Sequence, residues 1–169
     1  LIGSNNSCLK SIQSLCRSKK IKSKIWKKNL EGDVEVIAKE FSEDIKNYQK
    51  SKSLVLISGG ESTVKVKGKG KGGRNQELAL HFLKNVKESV PNLKFTMLSA
   101  GTDGRDGPTN AAGAIVNDNS LNLINDKKID LEKELNNNNS YEVLKKINSL
   151  VIIDGTNTNV ADLQLIMIN

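Results

Sequence analysis

Three glycine-rich segments contain the polar side chains of this sequence that are best suited to chemistry on phosphate groups. They span residues 58–63, 68–77 and 100–113. Each follows a run that is apolar or alternates apolar and polar residues, as a strand does. Open α/β sheets bind their ligands in the crevice at such strand ends. Each of the three segments is therefore a candidate ligand-binding loop.

The first segment places Gly59, Gly60 and Glu61 directly after the apolar run 54–57. Two adjacent glycines allow backbone N–H groups to approach an anion closely. We therefore include these three residues among the candidates for binding a substrate or nucleotide. Taken alone, the same residues are also typical of a tight turn that joins two strands.

The second segment leads from basic residues into a predicted helix through Gly72, Gly73, Arg74 and Asn75. The glycines expose backbone donors, a helix start attracts anions, and the guanidinium of Arg74 suits phosphate or carboxylate. We expect Arg74 to be an exposed charge at the loop edge. The segment is not a P-loop, because Gly-Lys followed by Ser or Thr is missing. A flexible basic hairpin is the alternative, although it leaves the polar start of the helix unexplained.

The third segment contains Thr102, Asp103, Gly104 and Asp106. Two carboxylates three residues apart could hold Mg²⁺ through oxygen ligands and leave positions for phosphate oxygens. Asp-Gly pairs are also ordinary turn formers. The excess of Gly, Thr and Asp after a buried strand favours the functional interpretation of this loop.

Hydrophobic periodicity predicts an α/β fold with a mixed sheet. The wet face of the alternating residues 63–67 is the reason for expecting a mixed rather than a purely parallel sheet. We place the tail of a preceding α/β domain or a linker unit in residues 1–50, and the main domain in 51–169. The predicted helices cover 8–16, 32–48, 78–86, 121–125, 131–135 and 141–147, and the predicted strands cover 1–2, 21–26, 54–57, 63–67, 95–100, 114–116, 150–153 and 163–168.

The asparagine run 136–139 is expected to be a surface loop without chemistry, because four consecutive amides are hard to satisfy in a core. Asn139 and Glu142 have the spacing of a capping box for the helix that follows.

Composition argues against several classes of partner. The net charge of +7 could attract nucleic acid, yet aromatic residues make up only 4% of the chain and do not interleave with the basic runs. No apolar run is long enough to cross a membrane, and no signal peptide is visible. Cys8 and Cys16 lie too far apart on one helix for a mutual disulfide. We therefore expect a cytoplasmic protein that binds neither nucleic acid nor membrane.

The ordered motifs of the chain resemble the glycerate kinase family of the MOFRL type. The similarity covers nearly the whole chain, since residues 2–5 and 31–32 also look like the segment just before the domain, and the long motifs make coincidence improbable. The chain begins with Leu1 rather than Met, so a fragment is expected. The matching stretches are residues 59–64, 72–77, 100–104, 106–113 and 158–163.

The resemblance implies transfer of the γ-phosphoryl group of ATP to a hydroxyl of D-glycerate, with Mg²⁺, in a cleft between two α/β domains. It implies that Arg74 clamps the transferring phosphate or the glycerate carboxylate. Asp103 would hold the metal or orient the attacking hydroxyl, and Asp106 is a second metal candidate. The remaining candidate binding residues are Gly59, Gly60, Glu61, Gly72, Gly73, Asn75, Thr102, Gly104 and Asn159. Of these, Gly59, Gly60, Gly72 and Gly73 would supply backbone donors.

The family's large amino-terminal domain is missing from this chain, so the chain alone is expected to be inactive. Residues 154–157 also depart from the Gly-Pro-Thr-Gly stretch that the family usually carries. Two alternatives remain open. A hydroxypyruvate reductase would need a dinucleotide fingerprint that the sequence lacks, and a non-catalytic module for small molecules would keep the loops without the partner domain.

Overall fold

The computed structural model describes residues 3–51 and 53–169, and the strand end predicted at Leu1 and Ile2 lies outside these ranges. A short 3₁₀ helix, Ile45–Tyr48, follows the second α-helix. The elements, in chain order, are α1 (Asn5–Ser18), β1 (Lys22–Asp33), α2 (Val34–Asp44), β2 (Leu54–Thr63), α3 (Arg74–Ser89), β3 (Phe95–Gly101), β4 (Gly113–Asn117), α4 (Ser120–Asp126), α5 (Leu131–Asn136), α6 (Ser140–Lys146), β5 (Leu150–Val151) and β6 (Asp162–Ile168).

The strands form one six-stranded sheet in the order β1-β2-β6-β3-β4-β5. β1 and β2 are parallel, and the other neighbouring pairs are antiparallel. The predicted mixed α/β fold is therefore confirmed. Because β1 is an edge strand of this sheet, residues 22–33 share it with the rest of the chain. The division between residues 50 and 51 stays a prediction.

The main core lies between one face of the sheet and helices α2 and α3. Phe41, Phe82, Leu56 and Ile166 are almost completely buried there. On the opposite face, α1 covers part of the sheet with a smaller apolar cluster around Leu9. Burial of this apolar surface is the dominant favourable contribution to folding. It fixes the sheet between two helical layers.

Strand β2 corrects two predictions. It continues from Leu54 through Gly59 and Gly60 to Thr63, so the loop predicted at 58–63 is wrong. The alternating residues 64–67 do not form the predicted strand. The long parallel partner β1 explains the first result, because its pairing carries β2 past the glycines, with Leu30 opposite Gly60. This pairing ends at Thr63, opposite Asp33.

Polar side chains cap several helices at the expected positions. Ser4 accepts a hydrogen bond from the backbone N–H of Ser7, and Asp33 accepts one from Glu35 at the start of α2. The capping box predicted for Asn139 is wrong. Its side chain instead accepts from the N–H of Lys71 and donates to Glu134, which places it on a neighbouring segment.

We predict that Gly60→Ala destabilises the chain by more than about 2 kcal/mol. Gly60 has φ +152°, and a Cβ there would collide with the backbone of Leu30 in β1. Urea denaturation of the purified chain measures the effect. Gly155→Ala is the control, because a Cβ at that position has open space around it. Equal stability of the two variants would contradict the close approach of β1 and β2.

Candidate functional site

The three predicted loop regions converge at one edge of the sheet. The backbone register places Gly60 of β2 and Gly101 of β3 on either side of Asp162, the first residue of β6. Helix α3 begins over this edge, because Arg74 at its start contacts Asp162. Residues of all three segments therefore lie together around the start of β6.

Arg74 is tied to two carboxylates rather than standing free at the loop edge. Its Nε and Nη2 atoms donate to the two oxygens of Asp162 at 2.7 and 3.0 Å. Its Nη1 atom donates to Oε1 of Glu61 at 2.9 Å. Asp162 is buried whereas the side chain of Glu61 is exposed. The bonds to Asp162 raise the pKa of Arg74, so this residue remains charged.

Asp106 is a buried structural carboxylate. Its Oδ1 accepts from the backbone N–H of Asn75 at 3.0 Å, and its Oδ2 accepts from the backbone N–H of Gln76 at 2.9 Å. Both side-chain amides also donate to it. Burial raises the pKa of Asp106, and the hydrogen bonds from Asn75 and Gln76 oppose that change. Because both oxygens serve the first turn of α3, the structure gives Asp106 a capping role in place of the predicted metal role.

Asn75 belongs to a buried polar layer beneath the helix start. Its Oδ1 accepts from the hydroxyl of Ser99 at 2.7 Å and lies 3.5 Å from the amide nitrogen of Gln164. Its exposed fraction is only 1%. The structure therefore replaces the predicted ligand contact of Asn75 with internal hydrogen bonds that connect α3 to strands β3 and β6.

The main effect of these glycines is to let neighbouring segments pack closely, rather than to expose N–H groups to an anion. A Cβ on Gly59 would lie 2.5 Å from Oδ1 of Asn5, and a Cβ on Gly73 would collide with the carboxyl group of Asp106. Gly72 lies against the hydroxyl of Ser140. Gly59 and Gly60 are paired within the sheet, so their predicted role as backbone donors to a ligand is corrected.

Thr102 fastens the loop before β6 to the end of β3. Its hydroxyl donates to the carbonyl of Ala161 at 2.7 Å and accepts from the N–H of Val160 at 2.9 Å. Gly104 approaches the carbonyl of Asp154 on the same loop. The exposed side chain of Asn159 accepts from the N–H of Ala161 and shapes the turn. These residues therefore line the same edge.

Asp103 is the accessible carboxylate of the third segment. Its Oδ1 accepts from the backbone N–H of Arg105 at 2.9 Å, and the residue is half-buried. In residues 3–51 and 53–169, no group of three His, Cys, Asp or Glu side chains is arranged to hold a metal ion.

Sequence reasoning assigned no role to Asp162 and Gln76, although both form this edge. Gln76 donates to Asp106 and to the hydroxyl of Thr109, and so joins the second segment to the third. Asp162 is the first residue of the apolar strand β6, and an acid buried in that position needs a cationic partner. The need of Asp162 for a cationic partner, considered together with Arg74 in the second segment, could have identified this pair from the sequence.

Comparison with known proteins places this arrangement in a family. The model of the MOFRL family matches residues 54–162, which contain the whole edge from Glu61 to Asp162. The chain belongs to the MOFRL family.

Within the part of the chain that the structure describes, no helix is long and apolar enough to cross a membrane.

The relatives of this MOFRL chain include kinases of known structure. A crystal structure of glycerate kinase from Thermotoga maritima superposes with a TM-score of 0.92 at 36% identity, and covers 100% of this chain and 41% of that one. Glycerate 2-kinase from Pyrococcus horikoshii is 37% identical over 168 residues, which are 95% of this chain and 37% of the relative. Mouse glycerate kinase is 37% identical over 135 residues, which are 77% of this chain and 26% of the relative. The chain thus spans about two-fifths or less of each relative's length.

We predict that Asp106→Asn lowers the free energy of unfolding by about 2–4 kcal/mol. An amide at this position turns one acceptor into a donor that faces the N–H groups of Asn75 or Gln76. Urea denaturation of the purified chain measures the loss. Asp103→Asn is the matched control and should cost less than about 1 kcal/mol, because Asn keeps the oxygen that Arg105 uses. Similar losses in both variants would argue against the capping role of Asp106.

Proposed function

We propose that the chain is the carboxyl-terminal part of a glycerate kinase, which transfers the γ-phosphoryl group of ATP to a hydroxyl of D-glycerate. The observation that carries this proposal is the match of the whole chain to the Thermotoga maritima glycerate kinase structure, at 36% identity. The edge around Arg74 supplies the chemistry. Phosphoryl transfer needs mainly positioning and neutralisation of charge.

Arg74 is proposed to bind the transferring phosphate or the carboxylate of glycerate. A guanidinium has five N–H donors, and Asp162 and Glu61 together occupy three of them in this structure. Glu61 is exposed, so an incoming anion can replace it at little cost. Asp162 then holds the guanidinium plane while the outward donors face the substrate.

Asp103 is proposed to orient the attacking hydroxyl or to hold Mg²⁺. Mg²⁺ commonly takes one or two protein carboxylates and fills its remaining positions with phosphate oxygens and water. The single accessible carboxylate of Asp103 fits that mode, whereas Asp106 does not, since its oxygens cap α3. The ion would neutralise charge on the phosphates of ATP.

The rest of the edge is proposed to line the substrate pocket. Thr102, Gly104 and Asn159 fix the shape of the loops beside Asp103. Gly72 and Gly73 lead directly into Arg74. The relatives are longer than this chain, which supports a second domain of the same enzyme as the partner that closes the cleft. Use of ATP, together with the free thiols of Cys8 and Cys16, supports a cytoplasmic location.

A reductase is the weaker proposal. The matched relatives from archaea, bacteria and mammals carry the name of a kinase.

We expect the full-length gene product to consume ATP in the presence of D-glycerate, and the 169-residue chain alone to turn over at a negligible rate. A coupled assay for ADP measures both. Rapid turnover by the chain alone would refute the two-domain proposal, and oxidation of a reduced nicotinamide cofactor by hydroxypyruvate would favour the reductase.

We predict that Arg74→Lys lowers kcat of the full-length enzyme by at least about 10²-fold, on the order of 3 kcal/mol of transition-state stabilisation. Lysine keeps the charge but cannot hold Asp162 and a substrate anion with a planar fork. Stability should also fall, by about 1–3 kcal/mol, because buried Asp162 loses its bidentate partner. Turnover is therefore measured well below the melting temperature.

The matched control for this substitution is Arg17→Lys at the exposed end of α1, which makes the same chemical change far from the edge. It should leave both kcat and the melting temperature unchanged. Normal turnover in Arg74→Lys would remove Arg74 from the reaction. A loss of kcat that follows the fraction of unfolded protein would make Arg74 a purely structural residue.

A further inference from the structure

The asparagine run between α5 and α6 binds the glycine-rich segment along its backbone. We name residues 137–139 the asparagine strap. Instead of being a solvated loop, as the sequence suggested, the strap accepts hydrogen bonds from five consecutive backbone N–H groups, those of residues 67–71. Backbone groups away from regular structure need such partners. The strap thus supplies residues 67–71 with the hydrogen-bond acceptors that a neighbouring strand supplies in a sheet.

Asn138 is the centre of the strap and is buried, with an exposed fraction of 7%. Its Oδ1 accepts from the N–H groups of Lys67 and Gly68, at 2.6 and 2.9 Å. Its Nδ2 donates to the carbonyl of Lys65 at 3.1 Å and to Oε1 of Glu77 at 2.9 Å. One side chain therefore joins the basic segment to the first turns of α3. Asn138 also has φ +54°, a conformation that asparagine tolerates better than most residues.

The residues beside Asn138 extend the attachment. Asn137 accepts from the N–H groups of Lys69 and Gly70, through its side chain and its backbone carbonyl. Asn139 accepts from the N–H of Lys71 at 3.2 Å. A Cβ on Gly70 would collide with the backbone carbonyl of Asn137, so the glycine lets the two segments touch. The spacing of glycines in the segment therefore fits the strap.

The start of α3 is consequently held from two sides. Asp106 binds the N–H groups of Asn75 and Gln76, while Asn138 binds Glu77 on the next residue of the same helix. Arg74 lies between the strapped segment and these contacts. A shift of the segment would move the point from which the Arg74 side chain leaves the backbone.

We propose that Asn138 is a positioning residue for phosphoryl transfer, which holds residues 67–71 and the start of α3 so that Arg74 meets the transferring phosphate or the glycerate carboxylate. This inference rests on the proposed kinase function. Burial raises the pKa of Glu77, and the bond from Asn138 opposes that change. The contact thus stabilises a carboxylate that would otherwise be costly to bury.

The test is a double-mutant cycle in the full-length enzyme, with Asn138→Asp, Glu77→Gln and the double variant. Asn138→Asp keeps an acceptor for Lys67 and Gly68 but sets a second carboxylate against Glu77. The double variant restores a donor and an acceptor with their places exchanged. We expect Asn138→Asp to lower kcat/KM at least about tenfold, and the double variant to recover the part of that loss that comes from the repulsion between residues 138 and 77. The bond from residue 138 to the carbonyl of Lys65 stays lost in both variants.

Amide hydrogen exchange of Lys67 and Gly68 is measured on the same proteins together with Asn138→Ala. Exchange should quicken at least about tenfold in Asn138→Ala and remain slow in the double variant. Asn136→Ala, an exposed neighbour in the same run, is the control and should change neither exchange nor kcat/KM. If Asn138→Ala does not fold, the cycle alone decides the result.

Three outcomes separate the two proposals. Faster exchange with unchanged kcat/KM would make the strap merely structural and overturn the inference. Additive effects in the cycle would also overturn it, because they deny the contact between residues 138 and 77. A wild-type enzyme that does not turn over ATP with glycerate would instead refute the proposed function, whatever the exchange data show.

Discussion

The buried carboxylate of Asp106 is the constraint on which the candidate site depends. It accepts hydrogen bonds from the first turn of α3, where the helix dipole favours a negative charge. Gly73 is required beside it, because a side chain there would occupy the same space. The third segment and the start of α3 are therefore held together without any contribution from a ligand. The anion site that a helix start offers is filled by the chain's own carboxylate.

The core also changes from apolar to polar along α3. Near Phe82 it is apolar, whereas towards the sheet edge it becomes a layer of hydrogen-bonded polar groups that includes Ser99 and Gln164. Buried polar groups are costly unless they are paired, and the bonds of Asn75 to Ser99 and Asp106 hold this part of the layer in place. The layer ends at the pair of Arg74 and Asp162. A guanidinium held in this way needs little reorganisation to meet a developing charge, which suits phosphoryl transfer.

The local sequence pattern was sufficient to predict most helices and strands, but it did not predict the partners of the polar residues. The apolar stripe of α3 and the runs of β3 and β6 were predictable, because burial imposes their periods. The continuation of β2 through Gly60 was not, since only the approach of β1 requires a glycine there. The arginine was found from its residue type and position. Its partner Asp162, distant in sequence, was not found, because pairing across the fold leaves no local spacing to read.

The polar asparagines show the same limit. Their composition indicated a solvated loop, yet Asn138 is buried since its amide satisfies backbone groups of a segment about seventy residues earlier. The family resemblance, in contrast, was visible in the motifs themselves, and the match over residues 54–162 confirms it. Motifs thus identified the family, while the tertiary contacts decided which motif residues face outward and which support them.

We propose that this edge, preformed by Asp106 and Asp162, presents Arg74 to the substrates. The most direct measurement is a crystal structure of the full-length enzyme with a non-hydrolysable ATP analogue and D-glycerate. We expect Arg74 to keep its bonds to Asp162, to release Glu61 and to donate to a phosphate or carboxylate oxygen, while Asp106 still caps α3. Ligands bound away from Arg74, with its contact to Glu61 intact, would contradict this role of Arg74.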